Sequence, residues 1–224
     1  ARQGIVLLKN ENKLLPLRKD LKSIAVIGPN ADDALNQLGD YVALKVLQDV
    51  TTVLEGIRAA VSPRTRVTYV KGCDVAGTER DEIEEARQAA VKADAAIVVV
   101  GENEWRAPGG KGTNGEGFDS ATLELTGLQE SLVKAVVETG TPTIVVLING
   151  RPLAVRYIAE RVPAVLEAWV CGEKGGQAVA EILFGDVNPG GKLSVTIPRH
   201  AGQLPVYYNH KKSKAYWLRE GWGH

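Results

Sequence analysis

Residues 114–119, NGEGFD, set one carboxylate, Glu116, between two glycines, with an aromatic ring and a second acid following. Gly115 and Gly117 remove side-chain bulk on either side and open backbone conformations closed to other residues, so a ligand can approach the Glu116 carboxyl closely. Trp105 and Phe118 add flat apolar faces of the kind on which sugar rings stack. Burial beside such faces raises a carboxyl pKa toward the working range of a general acid. The chemistry these residues could do is proton transfer to and from an oxygen of a bound molecule. A polar turn with an incidental Glu has the same spacing, and composition leaves both readings open.

Other chemistries find less in the chain. A P-loop needs GxxxxGK followed by Ser or Thr, but Gly110-Lys111 is followed by Gly112 and Gly191-Lys192 by Leu193. No GxGxxG follows the first apolar run, where GPNADD brings two acids that would repel a pyrophosphate. A GxSxG elbow is absent, and His200, His210 and His224 lie near the C-terminal end without metal-ligand spacing. Cys73 and Cys171 stand far apart and read as buried thiols. No cofactor and no metal are expected. Of the other carboxylates nearby, Glu102 and Glu104 close an apolar run and read as caps or as partners of Arg106, while Glu124 reads as solvated.

The elements that must position these residues alternate in type. SIAVIG (23–28), RVTYV (66–70), AAIVVVG (95–101), TPTIVVLI (141–148), AVLEAWV (164–170) and LSVTI (193–197) read as strands. Helical spacing falls over 51–61, 81–94, 127–138, 152–160 and 175–184. Strands and helices in this order predict an α/β fold with a six-stranded, mostly parallel sheet covered by helices on both faces. Ligands of such sheets sit at the carboxyl ends of the strands. The connection after AAIVVVG runs from 102 to about 125, where connections typically run about 4 to 6 residues, and it contains NGEGFD.

Charge is balanced, with 27 basic and 27 acidic residues among 224, so neither nucleic acid nor an anionic membrane surface is an expected partner. No apolar run approaches the roughly 20 residues a bilayer needs, and ARQGIVLLKN lacks the layout of a signal peptide. The chain contains no Met, and its first residues read as the middle of an element, so it reads as a piece of something longer. Residues 1–199 form the predicted α/β domain. Residues 200–224 are aromatic and basic, with Tyr207, Tyr208, Tyr216, Trp217 and Trp222, and read as a tail packing on the domain or on an absent partner domain.

The order and spacing of several stretches carry a likeness. They are GIVLLKNENKLLPL (4–17), SIAVIGPNADDALNQLGDY (23–41), VTTVLEGI (50–57), AAIVVVGENE (95–104), NGEGFDSATLELTGLQ (114–129), VVLINGRPLAV (145–155), the run from AVLEAWVCGEKGG to VTIPR (164–199) and GQLPVYYNH (202–210). Together they resemble the second domain, a six-stranded α/β sandwich, of glycoside hydrolase family 3, the β-glucosidase and β-xylosidase type. The resemblance implies a retaining glycosidase in which Glu116 is the acid/base, and Trp105, Arg106, Phe118 and Asp119 line the leaving-group side. It also implies a separate (β/α)8 barrel that carries the nucleophilic Asp, and a β-linked oligosaccharide or glycoside as substrate. Ser120 stands where the family usually has Arg, Thr126 where Pro often precedes the helix, and Cys171 where Pro is common. Two other readings stay open: a non-catalytic carbohydrate-binding or interaction domain of the same fold, and a nucleotide- or flavin-binding α/β domain.

Overall fold

Every residue of AAIVVVG is apolar or Gly, so a strand made of it needs cover on both faces. The computed structural model, which describes residues 1–39, 42, 47–79, 82–103, 112–114 and 119–209, provides it. Strands β1 (Val6–Asn10), β2 (Ser23–Ile27), β3 (Arg66–Val70), β4 (Ala95–Gly101), β5 (Thr143–Ile148) and β6 (Ala164–Glu167) form one sheet in the order β1-β6-β5-β4-β2-β3. All pairings are parallel except that of β1, which runs antiparallel to β6. Helices α1 (Val53–Ala60), α2 (Ile83–Val91), α3 (Gln129–Val137), α4 (Arg156–Arg161) and α5 (Gly175–Leu183) complete the sandwich.

The strand period of two divides β4 between two cores. Ala95, Ile97 and Val99 pack with Leu54 and Ile57 of α1 and with Val179 and Leu183 of α5. Ala96, Val98 and Val100 pack with Ala86 of α2, Leu132 and Val136 of α3, and Ile158 of α4. Helix α1 starts at a capping box, with Thr52 Oγ1 accepting from Glu55 N at 3.2 Å and Glu55 Oε2 accepting from Thr52 N at 2.8 Å. It lies so close to α5 that a Cβ on Gly176 would sit 1.9 Å from the Thr52 carbonyl oxygen. Cys73 and Cys171 are buried, unpaired thiols, and burial pushes them up to about 12 and about 11. Among the described residues, no helix is long and apolar enough to cross a membrane.

The sheet has six strands as the sequence predicts, but they are not the same six. LSVTI forms no strand, and β1 takes the outer place instead. The antiparallel β1 ladder occupies the edge of β6 that 193–197 would have joined, and Val195 stays exposed. The neighbouring Gly191 donates its N–H to the carbonyl of Ile5, just before β1, at 3.1 Å. Helix α4 also starts later than the spacing over 152–160 suggests, because residues 152–155 form a non-helical lead-in in which Val155 N donates to the Leu153 carbonyl at 3.1 Å.

Candidate active site

The chain leaves β2 for β3 on one side of the sheet and then crosses to β4 on the other, so the topological switch point lies between the carboxyl ends of β2 and β4. Doubly wound sheets open a ligand crevice there. In this chain Asn30 occupies it, wholly buried. Its Nδ2 donates to the carbonyls of Glu102 at 3.0 Å and Ile148 at 3.4 Å, and its Oδ1 accepts from Asn36 Nδ2 at 2.9 Å. The opening that such folds give to a nucleotide is filled by the chain's own side chain, which counts against a nucleotide- or flavin-binding domain.

The loop that carries NGEGFD leaves the same edge. At its start, Gly101 takes φ +149°, and a Cβ there would lie 1.8 Å from the Ile148 carbonyl oxygen, so only Gly lets the end of β4 approach β5 this closely. The fully buried Gln129, in the first turn of α3, holds that residue from the far end of the loop. Its Oε1 accepts from Gly101 N at 2.9 Å, and its Nε2 donates to the Gly101 carbonyl at 2.8 Å and to the Val75 carbonyl at 2.9 Å.

Glu102 follows with its carboxylate buried. Arg151, in the turn after β5, donates from Nε to Glu102 Oε1 at 2.6 Å, and Gly150 N donates to Glu102 Oε2 at 3.1 Å. Burial raises the Glu102 pKa, while Arg151 and the Gly150 amide pull the other way. The loop is then closed on itself. Asn103 N donates to Thr113 Oγ1 at 3.0 Å, Thr113 N donates to Asn103 Oδ1 at 3.0 Å, and Asn114 N donates to the Asn103 carbonyl at 3.2 Å. Arg151 Nη2 reaches the Thr113 carbonyl at 2.9 Å. On the other flank, Ser120 Oγ donates to the Thr122 carbonyl at 2.8 Å, Ala154 N to the Leu123 carbonyl at 2.7 Å, and Thr126 Oγ1 to the Val75 carbonyl at 2.7 Å.

Of the residues singled out from the sequence, Asp119 is described and exposed, and Glu124 is exposed as read. Glu116, Trp105, Arg106 and Phe118, with Glu104, lie outside the described residues. Glu102, read as a cap or as a partner of Arg106, is buried, and its cationic partner among the described residues is Arg151, brought beside it by the parallel pairing of β4 with β5.

Glu167 escaped the sequence reading altogether, although an acid inside the apolar run AVLEAWV was a signal. It ends β6 fully buried, and burial pushes its carboxyl up to about 8, with the Trp169 amide and the neighbouring Asn149 side chain opposing. Glu167 Oε2 and Asn149 Oδ1 are buried acceptors without a donor among the described residues. Glu167 Oε1 accepts from Trp169 N at 3.1 Å, beside the unusual φ of +55° at Trp169. Left-handed backbone is strained for so large a residue.

Comparison with known proteins bears on what this edge does. The family profile described as glycosyl hydrolase family 3 C-terminal domain matches residues 5–223. A β-xylosidase of Formosa agariphila is 45% identical over 213 residues, which cover 93% of this chain and 28% of that protein. A periplasmic β-glucosidase of Salmonella typhimurium is 37% identical over 230 residues, covering 94% of this chain and 29% of the relative. The crystal structure of a β-glucosidase from Listeria innocua in complex with isofagomine superimposes with a TM-score of 0.81 at 34% identity, over 92% of this chain and 27% of that one. The chain thus spans less than a third of the length of these relatives.

Proposed function

The chain belongs to glycoside hydrolase family 3, as its C-terminal domain, and on that premise we propose that it supplies the general acid/base of a retaining β-glycosidase through Glu116. The relatives are named β-xylosidase and β-glucosidase, so the proposed substrates are β-xylosides or β-glucosides cleaved at a terminal non-reducing sugar. The observation that carries the reading is the NGEGFD stretch on a loop whose two flanks are tied to the carboxyl edge of the sheet, where α/β folds bind ligands.

Retaining hydrolysis needs two carboxyl groups about 5 to 5.5 Å apart. In this reading the nucleophilic Asp belongs to a barrel domain outside this sequence. As that Asp attacks the anomeric carbon, Glu116 in its acid form gives its proton to the glycosidic oxygen, and the aglycone leaves. Glu116, now a carboxylate, takes a proton from the water that attacks the glycosyl-enzyme ester. The sugar is released with its configuration retained, and Glu116 regains its proton. Trp105, Arg106, Phe118 and Asp119 line the leaving-group side. The domain on its own, lacking the nucleophile, turns nothing over.

The test is Glu116→Ala in the enzyme that joins this domain to its barrel. On a substrate whose leaving group needs protonation, kcat/KM is expected to fall roughly 100- to 10,000-fold. On a 2,4-dinitrophenyl glycoside, whose leaving group departs as the anion, kcat/KM should fall far less. Full turnover by the variant on the poor leaving group would remove Glu116 from the mechanism.

A further inference from the structure

The turn after β5 holds both flanks of NGEGFD. On the near side, Arg151 Nη2 donates to the Thr113 carbonyl at 2.9 Å, while Arg151 Nε is fixed by Glu102 Oε1 at 2.6 Å. On the far side, Ala154 N donates to the Leu123 carbonyl at 2.7 Å. Glu102 is itself immobilised. Its side chain is buried, its second oxygen accepts from Gly150 N at 3.1 Å, and its backbone carbonyl accepts from Asn30 at 3.0 Å. One guanidinium therefore bridges the rigid end of β4 to the strand of loop that runs, three positions later, into Glu116.

The bridge has a chemical consequence. An acid/base must stand within about 0.5 Å of its working place, and a displacement of about 1 Å costs on the order of 100-fold in rate. A long connection does not meet that tolerance through its covalent chain alone. Arg suits the task because its planar fork makes two directed bonds at once, whereas the single ammonium of Lys does not reproduce that geometry. The two bonds here go to partners 11 positions apart in the chain, Glu102 and Thr113, and so fix the span between them.

We infer that Arg151, braced by buried Glu102, is a positioning residue for the acid/base, fixing Thr113 beside the carboxyl end of β4. The inference rests on the reading of Glu116 as that acid/base. It separates the role of Arg151 from general stability by one property: misplacing a proton donor hurts only where a proton is needed.

The experiment uses the full-length enzyme and a series of aryl β-glycosides whose leaving groups run from 2,4-dinitrophenol to weakly acidic phenols. For Arg151→Met, kcat/KM is expected to drop by less than about 10-fold on the dinitrophenyl substrate and by roughly 100-fold on the weakest leaving groups. Arg151→Lys should restore part of the loss on the weakest leaving groups and leave the dinitrophenyl rate where it is. An equal loss across the whole series would overturn the inference, because a merely structural residue lowers every rate alike. If Arg151→Met fails to fold, Arg151→Lys compared with the unsubstituted enzyme carries the same test, with loss confined to the weak leaving groups expected and uniform loss contradicting. Glu116→Ala, run in parallel, tells the two claims apart. A steep dependence for Glu116→Ala with a flat one for Arg151→Met defeats only the positioning role, while a flat dependence for Glu116→Ala defeats both.

Discussion

Glu167 ends β6 with its carboxyl buried, and burial moves its pKa from an ordinary 4.5 to about 8. Between those values the folded protein holds a proton that the unfolded chain has lost. The stabilisation from the neutral acid is therefore complete below about pH 4.5 and is lost as pH rises through about 8. Glu102, raised in the same direction by burial, adds to that slope. Glu167→Gln keeps the shape and stays neutral, so it should flatten the decline, relieving a penalty on the order of 5 kcal/mol at high pH. Denaturant midpoints of both proteins from pH 5 to pH 9 check this, and a variant whose stability falls as steeply as that of the parent would contradict it. At this scale the sequence was only partly legible. NGEGFD is a local pattern, whereas Glu102 and Arg151 are far apart along the chain and meet because β4 and β5 are neighbours, a contact that local spacing does not show.

The contact of α1 with α5 is set by two glycines. A Cβ on Gly176 would stand 1.9 Å from the Thr52 carbonyl oxygen, and one on Gly56 would stand 2.2 Å from the Gly176 carbonyl oxygen. Both obstacles are backbone, which does not rotate away. Gly176→Ala must push the helices apart and disturb the capping box at Thr52, at a cost of roughly 1 to 3 kcal/mol. Chemical denaturation measures it, and an unchanged midpoint would show that the helices separate freely. The interior strands and the helices were readable because their signals are periodic and their burial is complete, as in AAIVVVG and TIVVLI. The edge was not. VLLKN and LSVTI are both short and half-apolar, and the choice between them is made by which one finds the free side of β6, a matter of topology rather than of pattern.

For the whole molecule, the proposal divides one active site between two domains. The carboxyl edge of this sheet has its switch point filled by Asn30 and the described flanks of its long loop tied down by Gln129, Arg151 and the Ala154 amide. That arrangement suits a domain that completes another's site. The most direct measurement is the product that Glu116→Ala full-length enzyme forms from a 2,4-dinitrophenyl β-glycoside in azide. With the base removed, water attacks the glycosyl-enzyme slowly, and azide, which needs no deprotonation, should take its place. The account requires a faster turnover with azide and a β-glycosyl azide as product, formed by the variant and not by the parent enzyme. Release of free sugar alone, at a rate that azide does not change, would contradict it.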